Sequence, residues 1–149
     1  VIRTETIHAS AVALEGRGVL ILGPSGSGKS SLALQLIGLG GQLIGDDRIV
    51  LHRADDAIVA SAPAALDGLI EARGIGLIRV PCGPAPLRLV VDLGRTEPER
   101  LPPIRHTSLM DMPLPLVLGP LTAHLSPAIC LLLRGGRIDP ESDLSPETR

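Results

Sequence analysis

Apolar and polar positions along the chain set out a strand-rich body with one well-marked helix. Ile7 to Leu14 alternates as a half-buried strand does, Glu15-Gly16-Arg17-Gly18 has the composition of a turn, and Val19-Leu20-Ile21-Leu22 is an uninterrupted apolar run. Together they predict a β-hairpin. With Leu14 paired to Val19, Val12 faces Ile21 and His8 falls opposite Ser25. From about Ser30, the residues Leu32, Ala33, Leu36 and Ile37 share one helical face, and Gly38, Gly40 and Gly41 stop the helix. Gln42 to Gly45 then reads as a short strand, completing a strand–helix–strand crossover that brings the chain back to the end of the sheet it left.

Past this crossover the pattern changes. Ile49 to Leu51 and Ala57 to Ala60 flank an Ala54-Asp55-Asp56 turn, and Leu87 to Leu93 reads as a further strand, with connections too short for a helix after each. The expected fold class is α/β, with a mixed, strand-rich and largely antiparallel sheet carrying the first helix on one face. Leu101 to Pro120 is rich in proline and is expected to wrap the surface rather than form a regular central strand or helix. Ser126-Pro127 ahead of Ala128 to Arg134 has the cap and first-turn proline of a short helix closed by Gly135, although Ile129 to Leu133 also suits a buried strand. The reading is one domain over 1–133 and a polar, disordered tail over 134–149.

Composition narrows the partners. The 149 residues contain no Phe, Tyr or Trp, so the core is aliphatic and no aromatic ring can stack on a base. A net charge of −2 with dispersed cations argues against a nucleic-acid partner. No stretch approaches the ~20 apolar residues of a membrane span and no signal peptide opens the chain, so a cytoplasmic location is expected. Cys82 and Cys130 lack metal-ligand spacing and read as two buried thiols.

The chemistry begins at Gly23-Pro24-Ser25-Gly26-Ser27-Gly28-Lys29-Ser30, which meets every position of the phosphate-binding loop GxxxxGK[ST] between a strand and a helix. Gly23, Ser25, Gly26, Ser27 and Gly28 let backbone N–H groups turn toward phosphate oxygens, Lys29 adds a point charge, and Ser30 offers a hydroxyl to Mg²⁺. Lys29 is the only lysine in the chain. ATP and Mg²⁺ are the expected ligands. The crossover delivers Asp46 and Asp47 close to Lys29 and Ser30, where one carboxylate can accept a proton and the other hold the metal. The hairpin register adds the His8 imidazole. Farther on, Glu71 and Arg73 lie two apart and share a face if extended; Glu71 is then a metal or water ligand and Arg73 a clamp on the transferred phosphoryl group, or the two form a surface ion pair.

His8, the phosphate loop, Asp46-Asp47 and the run IEARGIGLIRV from Ile70 to Val80 resemble, in order and spacing, the catalytic domain of bacterial HPr kinase/phosphorylase, in the short, single-domain form of alphaproteobacteria. The resemblance covers roughly Ile7 to Val80. It implies a sheet akin to the nucleotide domain of phosphoenolpyruvate carboxykinase and phosphoryl transfer from ATP to a serine of the phosphocarrier protein HPr, with reversal by inorganic phosphate. It further implies Asp46 as general base with His8 against it, Ser30, Asp47 and Glu71 around Mg²⁺, Arg73 on the phosphate, and a homo-oligomer, hexameric in the family. Pro24 and Ser31 stand where many members carry acidic residues. Two other readings stay open: a kinase of a small hydroxylated metabolite, and a non-catalytic ATP-sensing module.

Overall fold

The uninterrupted apolar run ahead of the glycine-rich loop becomes a central strand with neighbours on both sides. The computed structural model describes residues 3–63 and 68–141. In chain order the elements are β1 (Arg3–His8), β2 (Ser10–Leu14), β3 (Arg17–Leu22), α1 (Lys29–Gly38), β4 (Gln42–Gly45), β5 (Arg48–Ala54) and β6 (Ala57–Ser61). There follow β7 (Leu69–Ala72), β8 (Gly76–Arg79), β9 (Ala85–Thr96), β10 (Arg105–Leu109), β11 (Met112–Gly119) and α2 (Leu125–Gly135). Nine strands form one sheet in the order β1-β5-β6-β9-β3-β2-β4, with β11 also on β9 and β10 on β11. The pairs β3–β9 and β9–β11 are parallel and the other pairs of this sheet antiparallel. The expected mixed, strand-rich sheet is therefore present, and β4 returns beside β2 with β2 lying between it and β3.

Alternation along the strands divides the interior in two. Val12, Val19, Ile21, Leu89 and Val91 pack with Leu32, Ala33 and Leu36 of α1 and Ile129 of α2. Ala11, Ala13, Leu20 and Val90 face the other way, toward Ile49, Leu51, Ile58 and Leu114. No helix covers that second face among the described residues; strands curling over it do. Small side chains such as Ala9, Ala11, Ala13 and Ala60, all buried, let these strands approach closely, which is how a core without aromatic rings is filled. Leu20, Leu36 and Leu51 are fully buried, each contributing on the order of 1.5–3 kcal/mol.

Three expectations change. The hairpin register is tighter than read, with Leu14 opposite Arg17, Val12 opposite Val19 and Ser10 opposite Ile21. Glu15 (φ 52°) and Gly16 (φ 79°) both adopt left-handed conformations, making a two-residue turn whose twist suits the strands where a four-residue turn was expected. Nor is Ile7 to Leu14 one strand. β1 pairs with β5, placing His8 opposite Arg48 rather than Ser25, while β2 pairs with β3 and β4. Ala9 is the switch point, and its N–H donates to the Asp47 carbonyl at 3.2 Å.

The proline-rich segment is the third correction, because it forms β10 and β11 instead of a wrap. Pro113 and Pro115 lie opposite Ser108 and His106 of β10, and β11 joins β9 only from Leu116 onward. The missing N–H groups thus fall before the β9 ladder begins, where a proline removes no sheet hydrogen bond. Ile129 to Leu133 is helical, and α2 continues through Arg134 and Gly135. The tail expected from 134 lies partly at 142–149, outside the described residues. Cys130 is buried, Cys82 is half-buried and donates to the Ile44 carbonyl at 3.5 Å, and no disulfide joins them. Among the described residues no helix is long and apolar enough to cross a membrane.

Candidate active site

The loop between β3 and α1 has the backbone that its glycines permit. Gly23 (φ 150°), Gly26 (φ 84°) and Gly28 (φ 101°) occupy conformations disfavoured for other residues. At two of them there is also no room: a Cβ on Gly23 would strike the Ser27 hydroxyl, and one on Gly28 would lie 2.9 Å from Leu121 Cδ2. Lys29 Nζ donates to the carbonyls of Gly23 (2.7 Å) and Pro24 (3.2 Å), so the ammonium is held over the loop. The Ser27 hydroxyl is buried and has no hydrogen-bond partner among the described residues. A buried orphan hydroxyl is costly unless a ligand or water meets it, and here it lies in the loop at the start of a helix with no acidic residue in its first turn. That fits a phosphate-bearing ligand.

The two adjacent carboxylates are held quite differently. Asp46 Oδ1 accepts from Ser10 Oγ at 2.6 Å, and Ser30 Oγ donates to Asp46 at 2.9 Å to Oδ1 and 3.1 Å to Oδ2. Ser10 is 1% exposed, so Asp46 is anchored from the sheet as well as from the phosphate-loop helix. Asp47 takes the left-handed conformation (φ 73°), which Asp tolerates better than most residues. Its carboxylate is 80% exposed and 4.0 Å from His8 Nδ1. His8 therefore faces Asp47, whereas the sequence reading set it against Asp46. The geometric cause is the strand switch at Ala9, which ties the Asp47 backbone to the end of β1.

Glu71 and Arg73 are on a separate two-stranded sheet, β7–β8. Ile70 is buried among Leu32, Ala33 and Leu36, so this hairpin packs on α1. Glu71 is exposed opposite Leu77, and Arg73 is in the hairpin turn rather than in the strand, so the same-face argument fails for it. Among the described residues neither makes a hydrogen bond or ion pair. The structure thus brings together His8, Ser10, Ser30, Asp46 and Asp47 and leaves Glu71 and Arg73 exposed on the hairpin.

Sequence reasoning missed Ser10 and Asp92. Ser10 is a lone hydroxyl in an apolar strand, a signal that was legible. Asp92 is opposite Leu22, the last residue before the phosphate loop, and its Oδ1 accepts the Gly94 N–H at 2.9 Å. A Cβ on Gly94 would meet Pro24 Cδ at 2.9 Å, so this turn braces the loop. No group of three or more His, Cys, Asp or Glu that could hold a metal occurs among the described residues. Mg²⁺ does not need one, because it commonly binds through one or two protein oxygens, waters and substrate phosphates. Ser30 and the carboxylates beside it suit that mode.

Comparison with known proteins bears on this arrangement. The family model described as HPr Serine kinase C-terminal domain matches residues 1–82. The HPr kinase/phosphorylase of Lactiplantibacillus plantarum is 47% identical over 77 residues, 51% of this chain and 24% of that protein. That of Geobacillus kaustophilus is 40% identical over 106 residues, 65% of this chain and 34% of that protein. These matches span about a quarter to a third of the relatives' length. The structure titled HPr(Ser) kinase/phosphatase from Coxiella burnetii superposes with a TM-score of 0.74 at 30% identity, covering 87% of this chain and 94% of that one.

Proposed function

The chain belongs to the HPr serine kinase C-terminal domain family, and from that premise we propose that it transfers the γ-phosphoryl group of ATP to a seryl hydroxyl of HPr, with Mg²⁺ at the phosphates. The observation that carries the reading is the pair of carboxylates at the end of the phosphate loop, one anchored to Ser10 and Ser30 and the other exposed beside His8. A nucleotide-sensing module has no use for the second of these.

The two carboxylates take roles exchanged from the sequence-based assignment. Asp46, bonded to the Ser30 hydroxyl, orients that oxygen toward the cation and supports the metal side, as the acidic partner of a phosphate-loop serine does in related chemistry. Asp47, exposed and beside His8, accepts the proton of the attacking serine. Lys29 leaves the loop carbonyls to meet phosphate oxygens, and the Ser27 hydroxyl finds an acceptor there. Mg²⁺, when bound, neutralises charge developing on the phosphates. From the β7–β8 hairpin, which packs on α1 through Ile70, Glu71 would serve as a metal or water ligand and Arg73 as a phosphate clamp. In the reverse direction, an oxygen of inorganic phosphate attacks the phosphoserine phosphorus, the seryl oxygen leaves with a proton, and pyrophosphate forms. Kinship of the sheet with the phosphoenolpyruvate carboxykinase nucleotide domain, a cytoplasmic location and homo-oligomerisation belong to the same proposal.

The test is incubation with Mg-ATP and purified HPr, followed by mass spectrometry of HPr. The expected result is one added phosphoryl group on a serine. Binding of ATP without modification of a competent HPr would overturn the kinase reading.

A further inference from the structure

At the end of β3 remote from the phosphate loop, a cleft of about 470 Å³ opens between β9, β11 and the last turn of α2. Its walls are apolar, from Leu89, Leu116, Val117 and Leu133, and three guanidinium groups surround it, those of Arg17, Arg88 and Arg137. Among the described residues no carboxylate lines it. Arg17 is steadied by Glu15 at 3.6 Å, and Arg137 donates to the Pro103 carbonyl at 3.1 Å. Arg88 is exposed and has no hydrogen-bond or ion-pair partner among the described residues. Gly136 (φ 67°) ends α2 and turns the chain so that Arg137 reaches the rim.

We infer that this cleft is a binding site for a small amphipathic anion, a carboxylate or phosphate monoester on an apolar body. The volume lies within the range of small-molecule sites, which are mostly apolar with a few polar groups that fix orientation. The α2 C-terminus opposes an anion with about half an elementary charge, and the Arg88 and Arg137 guanidinium groups outweigh it, the Arg17 charge being offset by Glu15. In a chain of net charge −2, the Arg88 and Arg137 cations beside one apolar cleft select for a negative head group. An apolar floor of this size excludes a fully hydrated ion. The site is independent of the phosphotransfer reading.

Decanoate serves as the probe, with acetate and octanol as controls for the charge alone and the apolar body alone. Titration of the whole chain, followed by backbone amide and methyl NMR, is expected to shift Leu89, Leu116, Val117 and Leu133. Acetate and octanol are expected to bind at least about tenfold more weakly. Arg88→Glu is expected to weaken decanoate at least about tenfold, roughly the worth of one charge-assisted hydrogen bond, while leaving ATP binding unchanged. Lys29→Ala is expected to leave decanoate binding unchanged. The inference is overturned if decanoate shifts nothing, if Arg88→Glu has no effect, if shifts appear only at the phosphate loop, or if an acidic amphipathic peptide binds where decanoate does not.

Discussion

Asp46 and Asp47 are identical side chains on consecutive residues, and they belong to different regions of the site. The Asp46 region is built into the fold: a carboxylate fixed between a buried serine of β2 and the phosphate-loop serine of α1. The Asp47 region is open, with a carboxylate and an imidazole each more than three-quarters exposed. The positive φ of Asp47 separates them. An anchored carboxylate suits a cation, which needs fixed oxygens, and an exposed one suits a proton arriving with a protein substrate. Adjacent residues of one type are thus given two environments by backbone geometry.

The largest effect expected on nucleotide binding comes from removing what both regions serve. Lys29→Ala should weaken ATP about a hundredfold, near the upper end of what a charge-assisted hydrogen bond contributes, and calorimetry with the nucleotide checks it. Ser10→Ala touches only the anchored region. It should cost about 1–3 kcal/mol of stability, seen as a lower denaturation midpoint, and should raise the Mg²⁺ concentration needed for transfer without altering the pH profile of transfer. The smallest effect tests whether acid sensitivity arises outside the site. Arg105 bonds both Glu97 oxygens, at 2.8 and 2.9 Å, and this pairing is the main cause that lowers the Glu97 pKa below its ordinary value of 4.5. The contribution is present above that ordinary value and is lost as pH falls through the lowered folded value. Because the pair is near the surface it is modest. Glu97→Gln should flatten the acid side of a melting-temperature profile slightly and leave phosphotransfer unchanged.

The legible parts of the molecule were those fixed by local chemistry. Glycines at Gly23, Gly26 and Gly28, the 3.6-residue period of α1 and the crossover into β4 made the loop and the arrival of Asp46 and Asp47 readable. What depends on which strands meet was not. His8 was read opposite Ser25, yet its neighbours Arg48 and Asp47 were decided by the change from β5 pairing to β3 pairing at Ala9, a long-range event with no local marker. β11 escaped notice because Pro113 and Pro115 break strands in general, and only its late entry to the β9 ladder makes them harmless. The anchoring of Asp46 was equally hidden, since Ser10 becomes its partner only after β2 packs against β4.

The most direct measurement follows phosphoryl transfer to HPr by Asp46→Asn and Asp47→Asn across a range of Mg²⁺ concentrations. The account predicts that Asp47→Asn binds Mg-ATP normally but loses transfer by roughly 10²–10⁴-fold at every metal concentration, the range for a missing general base, while Asp46→Asn regains much of its rate as Mg²⁺ is raised. Rescue of Asp47→Asn by metal, with Asp46→Asn inactive throughout, would contradict it.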